Sequence, residues 1–173
     1  MDFASQNLTA GQLNAVVKKL GGEEGVKKFL QGLSEVVVKT HIIDCDADPF
    51  LPNGWKVEEH IKGGELTWNP EKITLYLSDK QKNGMIKCNK LRKELKGKLV
   101  LNANVLEYLL KNPHLIPEEW KGKCVFFWGT IYRDSDGNLY VRYLNSYGSS
   151  WDWDYDWLDG DWGDGRPAAV LAE

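Results

Sequence analysis

The chain has 173 residues, with 22 Lys and Arg against 25 Asp and Glu, for a formal net charge of -3. That length suits one compact domain with a small appendage, and 42% hydrophobic with 27% charged residues excludes a disordered chain. No stretch approaches the roughly 18 apolar residues of a membrane helix, no basic-then-apolar leader opens the sequence, and the cations are spread along it. These features argue for a cytoplasmic protein, with no membrane insertion and no nucleic-acid partner.

Residues 1–33 read as two short helices. Thr9 caps a run through Leu13, Val16, Val17 and Leu20, which Gly21 and Gly22 stop; Glu23 and Glu24 open a second, with Val26, Phe29, Leu30 and Leu33 on its apolar side. Neither is long enough to stand alone, so the hairpin must pack on itself or on a partner. From Glu35 the pattern changes, and the β-branched Val36, Val37, Val38, Ile42 and Ile43 predict a strand, halted by Asp48-Pro49 and Pro52-Asn53-Gly54. Residues 73–77 predict another strand, 78–84 a polar turn and 89–95 a short helix. Asn102 caps a further helix through Val105, Leu106, Leu109 and Leu110, which Asn112-Pro113 ends. Residues 123–133 and 138–145 are β-rich runs flanking Asp134-Ser135-Asp136-Gly137, which predicts an antiparallel hairpin. The turn resembles the start of a calcium loop but lacks that loop's closing glutamate.

Four of the eight Trp lie close together, at positions 151, 153, 157 and 162. Strict alternation over residues 151–157 puts Trp151, Trp153, Tyr155 and Trp157 on one face of a strand and Asp152, Asp154 and Asp156 on the other. The aromatic face is expected to be buried, and the carboxylates to look into solvent, since like charges about 7 Å apart repel. Asp159, Asp161 and Asp164 add acid in the loop that follows. Three functional readings compete: an exposed aromatic platform that stacks on flat ligands, a carboxylate row that holds calcium, and an aromatic scaffold whose intervening short residues form the binding surface. A solvated edge with no ligand is the fourth. None of the chain's Glu, Lys, Gln or Met falls within residues 145–166. An ordinary solvated strand has no reason to avoid them, whereas paratope-like surfaces favour Tyr, Ser, Gly, Asn and Trp.

An enzyme would have to draw on His41, Asp44, Asp46, Asp48 and His60. If the strand runs on to residue 48, its alternation places the three acids on one side, where they could hold magnesium or calcium; otherwise they cap the turn at Asp48-Pro49. Cys45, Cys88 and Cys124 form no CxxC and read as reduced; Cys45 or Cys124 would need a nearby His to act as a nucleophile. No G-x-S-x-G, Walker, GxGxxG or HExxH motif occurs.

In its C-terminal segment the sequence resembles the variable proteins of diversity-generating retroelements, in which a constant aromatic framework is interspersed with residues altered by adenine-directed mutagenesis. A template AAC codon there becomes any NNC codon, and such codons encode Asp, Asn, Ser, Gly, Tyr, Leu and Arg but never Glu, Lys, Gln, Met or Trp. Every non-Trp residue of segment 145–166 fits that set. The resemblance implies a C-type-lectin-like fold, with Phe127-Trp128-Gly129-Thr130 similar to its Trp-Ile-Gly-Leu core strand and residues 36–39 pairing with a last strand at 168–172. The lectin disulfides and the Glu-Pro-Asn and Trp-Asn-Asp calcium motifs are absent, so calcium-mediated sugar binding is not implied. Most of the length is also similar to proteins encoded by uncultured small-genome bacteria, a likeness that implies no activity.

The expectation is therefore an α+β fold: a C-type-lectin-like domain with antiparallel strands and two helices over residues 34–173, preceded by a helical hairpin over 1–33. It is expected to be a binding protein rather than an enzyme, without a cofactor. Its recognition surface would comprise Tyr147, Ser149, Ser150, Asp152, Asp154, Asp156, Asp159, Asp161 and Asp164, facing a protein or cationic ligand. A metal-dependent hydrolase built on Asp44, Asp46 and Asp48, or an adaptor acting through the N-terminal helices, are the alternatives.

Overall fold

A computed structural model describes residues 9–32, 40–148 and 150–172. The chain divides into two compact units, Met1–Lys39 and Thr40–Glu173.

In the first unit, α1 (Ala10–Lys19) begins in a capping box: the Gln12 N–H donates to Thr9 Oγ1 at 3.3 Å and the Thr9 N–H donates to Gln12 Oε1 at 2.8 Å. Gly21 and Gly22, both with φ above +80°, turn the chain into α2 (Gly22–Leu30). A Cβ on Gly25 would lie 1.5 Å from the Leu20 carbonyl oxygen, so only glycine lets the two helices meet this closely. Neither helix contains a buried residue, and Leu13, Val16, Val17, Phe29 and Leu30 stay exposed. Leu33 lies outside the described residues, as do residues 36–39.

The second unit is mixed α and β. Its strands are β1 (Ile42–Asp44), β2 (Lys56–His60), β3 (Glu65–Thr67), β4 (Ile73–Tyr76), β5 (Ile86–Lys87), β6 (Val125–Arg133), β7 (Leu139–Tyr147), β8 (Ser150–Trp157), β9 (Asp161–Trp162) and β10 (Ala168–Leu171). Its helices are α3 (Asp79–Lys82), α4 (Cys88–Glu94) and α5 (Ala103–Lys111). The main sheet runs β4-β10-β6-β7-β8, with β2 pairing the second half of β6 through a register shift between Val57 and Glu59. One face packs on α5 and the β1-β3 pair through Val105, Leu106, Leu109, Trp68 and Trp120; the other packs on α4 and the β5-β9 pair through Leu91, Ile86, Leu158 and Trp162. Being central, β6 is covered on both faces and therefore shows a continuous apolar run rather than alternation.

The hairpin over β6 and β7, the caps at Thr9 and Asn102 and the helices α4 and α5 lie where the sequence predicts them. Two local expectations fail for physical reasons. Residues 78–84 are not merely a turn, because Ser78 and Gln81 close a second capping box that nucleates α3. The first strand stops at Asp44, where the side chain accepts from the Asp46 and Ala47 N–H groups at 2.9 and 3.2 Å and bends the chain. The last strand, β10, pairs with β4, with Phe126 of β6 and with Val100; its expected partner, residues 36–39, lies outside the described residues.

Candidate functional site at the edge strand

The register of β7 with β8 sorts their side chains. Directly opposed residues share a face, so Tyr140, Arg142, Leu144 and Ser146 lie with Trp157, Tyr155, Trp153 and Trp151, while Val141, Tyr143 and Asn145 lie with Asp156, Asp154 and Asp152. The expected separation of aromatics from carboxylates is thus realised. The aromatic face is half-buried rather than buried, because β8 is an edge strand: Trp151 and Trp153 pack against the core, Phe50 and Trp55 cover Trp153 and Tyr155, and Trp157, at its end, is 46% exposed.

Beneath that face lies Arg142, with no solvent exposure. Its Cζ sits 3.9 Å from the Trp153 ring centroid and 5.6 Å from that of Tyr155, and Nη1 donates to Glu107 Oε1. Charge, guanidinium plane and ring faces hold it there. Its Nε and the Tyr155 hydroxyl have no hydrogen-bond partner among the described residues. Burial pushes the Tyr132 and Tyr155 hydroxyls up, so the rings stay neutral beside the cation. Arg142 was not among the predicted site residues; the available signal was an arginine in register with Trp153 and Tyr155 on the aromatic side.

The carboxylate face does more than meet water. Leu158 N–H donates to the Leu139 carbonyl, which fixes the pairing so that even-numbered residues of β8 turn their backbone groups toward β7 and odd-numbered residues turn theirs outward. Among the described residues no strand pairs with that outer edge. Its N–H groups are instead closed from within: Trp153, Tyr155 and Trp157 donate to Oδ1 of Asp152, Asp154 and Asp156 at 2.8, 2.7 and 2.8 Å. The edge thereby keeps acceptors, the outward carbonyls and the carboxylates, and shows almost no free donor.

The remaining predicted residues divide by partner. Asp156 is half-buried, against expectation, because it pairs with Arg166; Asp161 pairs with Lys87 at 2.9 Å across β5 and β9. Asp152, Asp154, Asp159 and Asp164 are exposed and have no ion-pair partner among the described residues. Tyr147 and Ser150 are exposed beside the hairpin turn, and Ser149 lies outside the described residues. Trp162 is no surface residue: it is fully buried, 4.0 Å from the Phe126 ring centroid. The loop around it is pinned by a residue the sequence did not flag, buried Gln81, whose Nε2 donates to the Gly163 and Arg166 carbonyls. Its only sequence trace is the Ser-x-x-Gln capping box.

The other candidate constellations come apart. Asp44 and Asp46 accept backbone N–H groups of their own turn and of Gly64, and the two His60 ring nitrogens face Thr130 Oγ1 and the Cys45 carbonyl. His41 Nδ1 lies 2.8 Å from the Tyr108 hydroxyl. No group of three or more His, Cys, Asp or Glu able to hold a metal forms among the described residues. Asp134 is spent closing the β6-β7 turn, accepting from the Asp136 and Asn138 N–H groups. The three thiols are free, and burial pushes each above its ordinary value, which disfavours the nucleophilic thiolate. No helix among the described residues is long and apolar enough to cross a membrane. Compared with protein-family models, with curated proteins and with solved structures, the chain matches none of them.

Proposed function

We propose that the second unit is a binding module of C-type-lectin-like type, similar to the variable proteins of diversity-generating retroelements, and that the outer edge of β8 with its flanking loop recognises a cationic partner. The observation that carries this reading is the donor-poor edge. With the three outward N–H groups closed by Asp152, Asp154 and Asp156, a β-strand has too few donors to pair with, whereas lysine and arginine side chains, which only donate, meet carbonyls and carboxylates throughout. Four carboxylates without an ion-pair partner among the described residues, at 152, 154, 159 and 164, add a field that steers such a partner. The lectin-like assignment is supported by the buried Phe127-Trp128-Gly129-Thr130 strand and by the exposed, sequence-biased hairpin arm just before the last strand.

Calorimetric titration of the full chain with an oligo-arginine peptide tests the surface. Affinity is expected to fall steeply with salt and to drop in Asp152→Asn plus Asp154→Asn, a pair that removes charge while keeping the side-chain acceptors. Binding indifferent to both would overturn the assignment. Diversification has its own test in the flanking DNA: a reverse transcriptase gene beside a near-copy of the codons for residues 145–166, differing only at adenines, is the expected finding.

A further inference from the structure

We propose a second binding site, for a small organic phosphate, in the groove where α4 ends. The groove has a volume of about 710 Å³, within the size range of small-molecule sites. Four cations line it, Arg92, Lys93, Lys96 and Lys98, against one carboxylate, Glu59, which Arg92 already holds.

Local structure explains the convergence. The last turn of α4 closes with Leu95 N–H donating to the Leu91 carbonyl; Gly97, with φ +86°, then reverses the chain so that Lys98 N–H reaches the Leu95 carbonyl at 3.0 Å. Lys93, Lys96 and Lys98 are thereby set around one turn. Lys98 is engaged, its Nζ 4.5 Å from the Tyr76 ring centroid, while Lys93 and Lys96 have no ion-pair partner among the described residues. The floor is apolar, formed by Leu95, Val100 and Trp128 beside Ile61. Trp128 is 3% exposed, and its indole N–H has no acceptor among the described residues.

Charge and shape select the ligand class. A surplus of three positive charges exceeds what one carboxylate neutralises but suits a phosphomonoester, which carries about -1.5 to -2 at neutral pH. Lysines serve phosphate as point charges and need no planar fork. The cations surround one concavity rather than forming the extended stripe of a nucleic-acid track. The apolar floor is the place for the ligand's organic part.

The test is titration of the full chain with phenyl phosphate, read on the eight tryptophan indole N–H signals, with that of Trp128 assigned through Trp128→Phe. A saturable shift of the Trp128 signal is expected. It should weaken at least about tenfold in Lys93→Ala plus Lys96→Ala, stay unchanged in Asp152→Asn plus Asp154→Asn, and be at least about tenfold weaker for inorganic phosphate and for phenylacetate. Both lysines are exposed, so the variant is expected to keep its backbone spectrum. An unsaturated response, one indifferent to the lysine pair, or equal affinity for inorganic phosphate would each overturn the proposal. None of these results bears on the acidic edge, which is read by the oligo-arginine titration.

Discussion

Strands β6 and β8 each carry four aromatic residues, and they use them in opposite ways. In β6 (VFFWGTIYR), eight of nine positions are buried, because β7 flanks one edge, β10 and β2 share the other, and both faces are core. Aromatics there follow one another without alternating, and neighbouring strands satisfy the backbone. In β8 (SWDWDYDW), one face is half-buried and one edge has no neighbour among the described residues, so the strand must supply its own acceptors. Aspartate does this with a side chain short enough to reach the next N–H. Aromatic richness alone therefore says little about ligands; the residues between the rings reveal whether a strand is central or guards an open edge. Edge protection also gives a reason for Asp over Glu at 152, 154 and 156. It gives none at 159, 161 or 164, whose carboxylates close no strand N–H among the described residues.

The largest effect expected from breaking either arrangement lies under β8. Glu107→Ala strands the Arg142 charge in a fully buried setting and should cost about 3 kcal/mol in urea denaturation. Adding Arg142→Met, which fills similar volume without charge, should restore most of that loss; no recovery would mean that the damage lies in α5 packing instead. Next comes the centre of the sheet. A Cβ on Gly129 would lie within 2.8 to 2.9 Å of Asn102 Cβ, Cα and N, and Asn102 is itself tied to the Cys45 and Ile61 carbonyls. Gly129→Ala should therefore cost about 2 kcal/mol by the same measurement, and a neutral result would show that Asn102 can move.

Smaller in stability but more telling in behaviour is the guard on the edge. Asp152→Ala plus Asp154→Ala uncovers the Trp153 and Tyr155 N–H groups on a strand that offers aromatic side chains to a neighbour. The fold should lose less than about 1 kcal/mol, as both groups are solvent-exposed, yet sedimentation should show more self-association than in the parent. Asp152→Asn plus Asp154→Asn keeps an acceptor at each position and should sediment like the parent. Equal self-association in the two variants would make net charge, not the closed edge, the protective feature.

Much of this was legible beforehand. The Asp134 turn marked the β6-β7 hairpin, Thr9 and Asn102 marked helix starts, and period-two alternation sorted β8 into its two faces. Alternation, however, shows only which way a carboxylate points and is silent about which N–H it accepts from, so the guard was hidden inside a correct pattern. Arg142 was hidden differently: its burial depends on Glu107, 35 positions away on α5, and on a covering loop with no periodic signal. Strand β2 (KVEEH) was missed because its polar residues look like loop until Val57 and His60 are seen against Tyr132 and Thr130 of β6.

At the solvent end of β6 the central strand meets water through Arg133, which holds both carboxylate oxygens of Glu58 on β2 at 2.8 Å. Hydrogen bonding to Arg133 holds the Glu58 carboxyl below its ordinary value and outweighs the opposing effect of desolvation. A carboxyl whose value is lowered on folding stabilises the fold fully above the unfolded value, near 4.3, and loses that contribution as pH falls through the lower folded value. The parent should therefore have a higher urea midpoint than Glu58→Gln at pH 7, with the difference closing by about pH 3. Both side chains are partly exposed, so the difference should be small and shrink in salt. A difference independent of pH would assign the clasp to packing of β2 on β6, and the protection of the central strand would then owe nothing to charge.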